Sequence, residues 1–384
     1  MRIAHFAKYT FVRMGGVERH VATLTRALAS QGIDVTVFSY DPSGTAKSAN
    51  IDGVHFEPVP TLTNIASQSI APQLLSRYRH HNHIKPFDLI HQHWPDPFAH
   101  LTATLIGRRP AHLASWHSDI VRQRFIAPIY RTLARTTLIA PDAIIGATQS
   151  HISSPQIDCF ASAENRYVIP YSIDSQPFKA TQEILHAAEA LRAKYHYRPI
   201  VFALGRHVYY KGFDTLLEAM HGVPAVLLLG CTGPLTPNLK KKADEMHLDA
   251  DFLGEIPDHL LPNYYHACTA FCLPSVAQTE AFGLVQAEAM ACARPIVNTN
   301  LRNGVNELAP AGVCALTAEP GNADQLRNAL LTLINDSQLA NDLGSAGFRR
   351  LTEKYSLHSM TKKTISLYEA LIDNQHASPR RTDA

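Results

Sequence analysis

Short apolar strands alternate with amphipathic helices along most of this chain, and this alternation limits the fold more than any other feature. Residues 3–7 are apolar, Gly15-Gly16 follow in a turn, and residues 17–30 carry apolar positions at helical spacing before a second apolar run at 34–38. A strand–helix–strand unit of this kind implies parallel strands that are covered by helices on both faces. Further strands are predicted at 88–91, 111–116, 143–147 and 167–169.

The alternation restarts after a polar connection at residues 175–198. Strands are then predicted at 199–204, 225–229, 252–253, 270–273 and 295–297, with helices between them. A chain of 384 residues is long enough for two domains of about 100–200 residues each. We therefore predict an α/β protein of two doubly wound domains, at 1–178 and 179–356, followed by a helix and a polar tail at 357–384.

Composition excludes several classes of protein. Hydrophobic residues make up 46% and charged residues 18%, as in an ordinary globular chain, and the net charge of +2 argues against a nucleic-acid binder. No apolar stretch is long enough for a transmembrane helix, and the first residues do not resemble a secretory signal. The six cysteines form no C-x-x-C pair, which favours reduced thiols in a cytoplasmic protein.

Doubly wound sheets bind ligands beyond the carboxyl ends of their strands, so a cleft between the two domains is the expected site. Gly15-Gly16-Val17-Glu18 follow the first strand and open a helix, where backbone amides can bind an anion. The alternative is a plain tight turn. Because the pattern is not G-x-G-x-x-G, a dinucleotide site is disfavoured.

In the second domain, a glycine and an arginine end a predicted strand, and a lysine and a glycine precede the next helix. These residues are Gly205-Arg206 and Lys211-Gly212. Two cations this close to a strand end suit a diphosphate, since arginine offers a fork of donors and lysine a compact charge. The alternative is two solvated charges on a loop.

Residues 274–297 hold the most distinctive local pattern. We predict a helix that opens at 279–283 and runs to Cys292, with Glu280 near its start and Glu288 two turns later. A spacing of eight residues puts both carboxylates near one helix face, where they could accept hydrogen bonds from sugar hydroxyls. The alternative is one glutamate favoured by the helix dipole and one that is merely solvated.

Glu280 and Glu288 form the E-x7-E motif of retaining glycosyltransferases with the GT-B fold, and the whole chain resembles glycosyltransferase family 4, the group 1 family. The resemblance rests on motifs that occur in the family's order, namely Gly15–Glu18, Ser115–Asp119, Ile169–Asp174, Gly205-Arg206 with Lys211-Gly212, Phe252-Leu253-Gly254 and the E-x7-E segment. It implies two Rossmann-like domains that face each other across a cleft, an N-terminal one for the acceptor and a C-terminal one for a nucleotide-sugar.

The resemblance also implies residue roles. The expected catalytic residues are His117 beside the transferred sugar, Glu280, and Arg206 with Lys211 on the diphosphate leaving group. The expected donor-binding residues are Gly16, Arg206, Lys211, Phe252, Ile256, Glu280, Ala281, Phe282, Gly283, Leu284 and Glu288, with Glu288 on the ribose and residues 252–256 on the nucleobase.

The chain departs from the family's usual motifs at two places. The chain has Pro170-Tyr171-Ser172-Ile173-Asp174 where the family often has Pro-Asn-Gly-Val-Asp, and Asn303-Gly304-Val305 where a Gly-Gly pair often stands. Asn303-Gly304-Val305, together with Glu280-Ala281-Phe282-Gly283, resembles the mannosyltransferases that use GDP-mannose in O-antigen and exopolysaccharide synthesis. A UDP-sugar donor, a nucleotide-sugar epimerase on the same fold and a sugar-binding module without activity remain as alternatives.

The chemistry is expected to need neither cofactor nor metal, because cations and helix amides can stabilise the leaving phosphate. A literal D-x-D occurs at Asp249 and Asp251, directly before a predicted strand, and is not expected to bind metal. His91 and His93, like the histidines at 80–83, are interpreted as polar groups of the surface or the cleft, with His93 a candidate for contact with substrate.

A basic stretch at 120–138 mixes apolar residues with arginines. Between residues 77 and 135 there are nine Lys or Arg against three Asp or Glu. We predict that Arg122, Arg124, Arg131 and Arg135 meet a lipid-linked glycan acceptor or an anionic membrane surface; a core-facing helix with solvated arginines is the alternative. The expected location is the cytoplasm, with attachment to the inner face of the membrane left open.

Overall fold

The computed structural model describes residues 1–7, 15–65, 68–107, 110–117 and 138–377. The chain forms two compact units. Unit 1 comprises Met1–Ser172 together with the chain from Leu357 onward, and unit 2 comprises Ile173–Ser356. The division thus falls after Ser172, whereas the sequence placed it near residue 178.

Unit 1 is built on a sheet of eight strands within the described residues, in the order β10-β9-β8-β7-β1-β2-β4-β3. All neighbours are parallel except β3 and β4. A separate antiparallel ribbon pairs β5 with β6. In chain order the strands are β1 Arg2–Ala7, β2 Asp34–Asp41, β3 Ala49–Ile51, β4 Val54–Pro60, β5 Thr63–Ile65, β6 Gln68–Ile70, β7 Leu89–Trp94, β8 Ala111–Trp116, β9 Ala143–Gly146 and β10 Arg166–Val168.

Helices cover both faces of this sheet, as a parallel sheet requires. In unit 1 they are α1 Gly16–Ser30, α2 Leu74–Ile84, α3 Pro97–Ile106, α4 Gln149–Ile152 and the C-terminal helix α13 Leu357–Ala377, with 3-10 turns at Ile157–Cys159 and Ala163–Asn165. One face packs on α1 and α13 through residues such as Leu24 and Leu367. The other face packs on α2 through residues such as Tyr78.

The C-terminal helix belongs to unit 1, although the sequence treated it as a separate segment. Met360, Leu367, Tyr368 and Leu371 recur at helical spacing and are buried in the core beside α1. An apolar stripe of this kind is stable only when another element covers it. The predicted polar tail, residues 378–384, lies outside the described residues.

Unit 2 has a fully parallel sheet of six strands in the order β13-β12-β11-β14-β15-β16. The strands are β11 Ile200–Leu204, β12 Val226–Gly230, β13 Ala250–Gly254, β14 Ala270–Leu273, β15 Ile296–Thr299 and β16 Ala315–Ala318. The helices are α5 Gln182–Lys194, α6 Phe213–Met220, α7 Thr236–Glu245, α8 Leu261–Ala267, α9 Leu284–Ala291, α10 Gly304–Leu308, α11 Ala323–Asn335 and α12 Ser337–Lys354, with 3-10 turns at Gln176–Phe178, Tyr209–Lys211 and Asp258–Leu260.

The strand order of unit 2 reverses between β11 and β14, which are neighbours although two strands lie between them in sequence. Such a reversal leaves a crevice at the carboxyl ends of the two strands, and ligands of doubly wound sheets bind there. The loops after Leu204 and Leu273 therefore mark the first place to look for a site in this unit.

Two further expectations concern the cysteines and the membrane. Five cysteines with described side chains are unpaired, and all of them except Cys231 are buried. Within the described ranges, no helix combines the length and the apolar character that a bilayer span demands.

Candidate active site

The loops after β11 and β14 are joined at the carboxyl edge of the unit 2 sheet. The Val276 amide donates a hydrogen bond to the Tyr210 carbonyl oxygen at 2.8 Å. This bond connects the segment that carries Lys211 with the segment that carries Glu280. Both residues were predicted as parts of one site, and the fold brings them together.

Lys211 and Glu280 form a buried ion pair. The Lys211 Nζ lies 2.5 Å from Glu280 Oε2, and the two side chains are only 11% and 10% exposed. Ser275 Oγ donates to the same carboxylate oxygen at 3.2 Å. Burial alone would lower the pKa of Lys211, but the Glu280 carboxylate raises it above its ordinary value. The site therefore holds a fixed, fully charged ammonium.

Two glycines make room for this ammonium. Gly212 has a left-handed φ of +67°, and a Cβ at this position would lie 2.1 Å from the Pro274 carbonyl oxygen. At Gly205, a Cβ would meet Lys211 Cε at 3.1 Å. The close approach of Gly212 to the chain after β14 is what sets Lys211 beside Glu280.

Gly212→Ala should therefore destabilise the protein more than an ordinary left-handed glycine would. Gly222 is the matched control, because its φ is +79° and a Cβ there would meet nothing within 4 Å. Gly222→Ala should cost about 1–2 kcal/mol from backbone strain, and Gly212→Ala about 2 kcal/mol more from the collision. Urea unfolding followed by circular dichroism measures both, and equal losses would contradict the close approach.

Glu280 does not lie on the helix that the sequence predicted. The helix α9 begins at Leu284, because Gly283 precedes it with a φ of +70°, a conformation that a helix cannot contain. Glu280 instead lies in the loop, where Asn303 Nδ2 donates to its carbonyl oxygen at 2.8 Å. The argument that Glu280 and Glu288 share one helix face was wrong for this reason.

Glu288, expected on the ribose, is 4% exposed inside α9. Its Oε2 accepts a hydrogen bond from the Tyr265 hydroxyl at 2.7 Å. Phe282 is also buried, and its ring packs edge-on against Tyr355 at 6.1 Å between centroids. Ala281 and Leu284 are half-buried, so this segment offers a ligand mainly its backbone.

The remaining predicted donor residues of unit 2 lie at the ends of β11 and β13. Arg206 is exposed and has no ion pair with another described residue. Phe252 is half-buried beneath Lys240, whose Nζ lies 5.8 Å from the ring centroid. Ile256 is half-buried, and a Cβ at Gly230 would meet its Cδ1 at 2.8 Å.

The D-x-D carboxylates pair with cations. Asp249 is hydrogen-bonded to Arg198, and Asp251 accepts from Lys194 at 3.2 Å and from the Tyr195 hydroxyl at 2.6 Å. The hydrogen bonds from Tyr195 and Lys194 lower the pKa of Asp251, although burial opposes them.

Two of the predicted site residues, Gly16 and His117, lie in unit 1. Gly16 is the exposed first residue of α1, and a Cβ there would meet nothing within 4 Å. His117 directly follows β8 and is 3% exposed. Of the acceptor or membrane residues, Arg122, Arg124, Arg131 and Arg135 all lie outside the described residues.

His117 belongs to a chain of buried, hydrogen-bonded side chains that the sequence did not predict. The chain runs in order through Ser115, His91, Tyr368, His5, His93, His117 and Tyr171, and we call it the histidine network. The separations from Ser115 to His117 lie between 2.6 and 3.4 Å. His91 and His93 were expected at the surface or in the cleft, but β7 is a central strand, so both are buried.

Every histidine in the network uses both ring nitrogens. A neutral imidazole donates from one nitrogen and accepts at the other. An unbroken chain of neutral rings therefore has two proton arrangements, one the reverse of the other. The tautomer of His117 is consequently linked to the hydroxyl orientation of Tyr368 on the C-terminal helix.

Burial keeps these histidines neutral. It lowers the pKa of His5 to about 3, with a further contribution from His20, and it holds the pKa values of His91, His93 and His117 well below the ordinary range. His20, on α1, lies beside Tyr171 with 4.0 Å between the ring centroids and 33° between the ring planes. Burial lowers the pKa of His20 to about 3. Neither of its ring nitrogens has a hydrogen-bond partner among the described residues.

Comparison with known proteins identifies the class. The family model for "Glycosyl transferases group 1" matches residues 187–350, and the model for "Glycosyltransferase Family 4" matches residues 14–175. The two matches cover most of both units, so the protein is a glycosyltransferase. The chain belongs to glycosyltransferase family 4, the group 1 family.

Two curated relatives align with this chain over nearly its whole length and over nearly all of their own. The O-antigen chain mannosyltransferase C of Escherichia coli is 26% identical over 98% of this chain and 100% of its own. The D-rhamnosyltransferase WbpZ of Pseudomonas aeruginosa is 28% identical over 91% and 92%. Among solved structures, Anabaena Alr3699/HepE in complex with UDP-glucose superimposes with a TM-score of 0.78 at 19% identity, covering 96% of this chain and 99% of its own. The fold is that of the GT-B glycosyltransferases.

Proposed function

We propose that this enzyme transfers mannose from GDP-mannose, with retention of configuration, to a hydroxyl of a polyprenyl-diphosphate-linked glycan. The observation that carries the proposal is the buried ion pair of Lys211 and Glu280 beside the carboxyl ends of β11 and β14. A fixed ammonium suits the negative charge that grows on a departing nucleoside diphosphate, because it needs no rearrangement during the reaction.

The chemistry follows from charge development. As the bond from the anomeric carbon to the diphosphate breaks, positive charge grows on the sugar and negative charge on the phosphate. Lys211, Arg206 and the amides at the start of α9 would stabilise that phosphate. The acceptor hydroxyl would attack from the face that the diphosphate leaves, forming the new bond to the anomeric carbon and passing its proton to a leaving phosphate oxygen.

The names of the relatives support a donor with the D-manno configuration. One relative is named a mannosyltransferase and the other a D-rhamnosyltransferase. D-Rhamnose is 6-deoxy-D-mannose, so the two sugars share an axial 2-hydroxyl and differ only at C6. The Glu280 carboxylate would accept hydrogen bonds from hydroxyls of such a sugar.

Two observations support a lipid-linked acceptor at the inner face of the membrane. The curated relatives include a phosphatidyl-myo-inositol mannosyltransferase of Mycobacterium leprae, 24% identical over 97% of this chain. The sequence also concentrates positive charge at residues 77–135, and such a surface attracts anionic lipids and lipid diphosphates.

A transfer assay tests the proposal. The enzyme is incubated with GDP-mannose or UDP-glucose and a synthetic polyprenyl-diphosphate glycan, with and without a chelator, and NMR reads the anomeric configuration of the product. We expect transfer from GDP-mannose with retention, at an unchanged rate in the chelator. A preference for UDP-glucose would contradict the proposed donor, and an inverted product would contradict retention. Loss of activity in the chelator would contradict a reaction without metal. A changed sugar without acceptor would identify an epimerase.

A further inference from the structure

A second cluster of polar side chains lies in unit 1, away from the histidine network, where β3, β4 and α2 meet. His55 and Glu57 are two residues apart on β4 and so point to the same side of the sheet. His81 projects towards them from α2. One ligand atom from each of these three residues lies within 4.8 Å of the other two.

The two imidazoles converge on one carboxylate oxygen. His81 Nε2 lies 3.3 Å from Glu57 Oε2, and His55 Nε2 lies 3.7 Å from the same atom. Ligand atoms about 2.0–2.2 Å from a tetrahedral zinc ion are separated by about 3.3 Å. The cluster therefore has nearly the spacing that a metal ion between its members would impose.

The His55 ring is oriented as metal-binding histidines are. Its Nδ1 lies 2.9 Å from the Asn50 side-chain oxygen, to which it can only donate. In the neutral ring this bond leaves the lone pair on Nε2, and that nitrogen faces Glu57. That nitrogen is buried and has no hydrogen-bond partner among the described residues. Histidines that bind a metal through one ring nitrogen usually donate a hydrogen bond from the other nitrogen, and this bond fixes the tautomer.

Neighbouring donors hold the Glu57 carboxylate in place. Burial alone would raise the pKa of Glu57, but hydrogen bonds from Ser48 and Arg77 and the Arg77 charge lower it. Burial lowers the pKa of His81, although Glu57 opposes the shift. Arg77 donates to Glu57 Oε1, and Ser48 donates to Oε2 at 2.6 Å. The other lone pair of Oε2 faces His81 Nε2 at 3.3 Å, and a metal ion between these two atoms would replace that hydrogen bond.

The other histidine trio with close ligand atoms, His5, His91 and His93, suits a metal less well. His91 and His93 stack at 25° between their planes, and His5 and His93 at 21°. The lone pairs of stacked rings lie in nearly parallel planes and do not converge on one point. Both nitrogens of His91 are also hydrogen-bonded, to Tyr368 and to Ser115.

We propose that His55, Glu57 and His81 form a binding site for a transition-metal dication of the zinc class, which ties α2 to the edge of the unit 1 sheet. Two imidazoles and one carboxylate select zinc and its neighbours over magnesium and calcium, which prefer oxygen ligands alone. Water would complete the coordination. None of these residues belongs to the proposed sugar-transfer machinery, so the site is independent of that function.

The test uses the full chain, stripped with a chelator and dialysed. Calorimetric titration with Zn²⁺ should show one equivalent bound, Mg²⁺ should show none, and Co²⁺ should give the visible absorption of a tetrahedral site. His55→Ala and His81→Ala should each weaken Zn²⁺ binding at least about 10-fold. Asn50→Ala, which frees the His55 tautomer, should weaken it about 10-fold.

His83→Ala is the matched control, because His83 is an exposed histidine on the same helix as His81. It should bind Zn²⁺ as tightly as the unaltered protein. Because His55 is partly exposed on the sheet surface, His55→Ala should keep its circular dichroism spectrum, so that lost binding is not lost folding. Absence of Zn²⁺ binding, or binding that is equally tight in His55→Ala, would overturn the proposal.

Discussion

Lys211→Met should lower the kcat of sugar transfer about 100- to 1,000-fold, since it removes a charge aimed at the leaving phosphate. Glu280→Gln should have an effect of similar size if its carboxylate both places the Lys211 ammonium and meets the sugar. Lys241→Met is the control: Lys241 is 78% exposed and forms an ion pair with Glu245, one helical turn away. Its kcat should remain within a factor of two of the unaltered enzyme, about 0.4 kcal/mol.

Measuring the unfolding free energy together with kcat distinguishes the catalytic role of the Lys211–Glu280 ion pair from its structural role. Lys211→Met leaves a buried carboxylate without its cation, which should cost about 3–5 kcal/mol of unfolding free energy. The double variant Lys211→Met with Glu280→Gln should recover part of that stability, because no unpaired charge remains, but it should recover none of the kcat. Urea unfolding measures the unfolding free energy, and initial-rate assays measure kcat. Near-normal turnover in either single variant would remove that residue from the reaction.

The second large effect is expected from acid. The histidines of the network have folded-state pKa values below the unfolded value of about 6.5, and His5 falls to about 3. Between these values the unfolded chain binds more protons, so the unfolding free energy decreases as the pH falls. Each such histidine contributes a slope of up to about 1.4 kcal/mol per pH unit. Several such histidines together should reduce an unfolding free energy of about 5–15 kcal/mol to near zero around pH 5.

Tryptophan fluorescence reports this loss for unit 1 alone. The chain has two tryptophans, Trp94 and Trp116, and both are buried in unit 1. Urea midpoints are compared at pH 7.5 and 5.5. His20→Phe should reduce the pH dependence by one proton and raise stability at neutral pH by about 1 kcal/mol, because the ring nitrogens of His20 have no partners among the described residues. A midpoint that does not move with pH would contradict a neutral, buried network.

The alternation of strands and helices predicted the fold well where the pattern was strong. The strand predicted at 111–116 is β8, and the helix predicted from residue 17 is α1. Strands β3 to β6 and β16 were missed. Strands β3, β5 and β6 have only three residues, too few to show a period. Strand β4 contains two prolines, which disfavour a strand when the sequence is read alone. The first half of the helix predicted from 279 was wrong because the sequence does not show the positive φ of Gly283.

Only part of the candidate site could be predicted from the sequence. Lys211 and Glu280 were singled out, but their direct contact depends on the neighbouring positions of β11 and β14, which lie about 70 residues apart in the chain. The histidine network was missed for a similar reason. The spacing of His91 and His93 on one strand face was visible, whereas the register that places His5 beside His91 exists only in the folded sheet.

The central claim is that Lys211, held by Glu280, binds the diphosphate of a nucleotide-sugar. Calorimetric titration of GDP-mannose into the unaltered enzyme and into Lys211→Met tests it most directly. A hydrogen bond from a charged group contributes about 1.5–3 kcal/mol, so the variant should bind GDP-mannose about 10- to 150-fold more weakly, with Lys241→Met unchanged. Equal affinities in the unaltered enzyme and in Lys211→Met would contradict the claim.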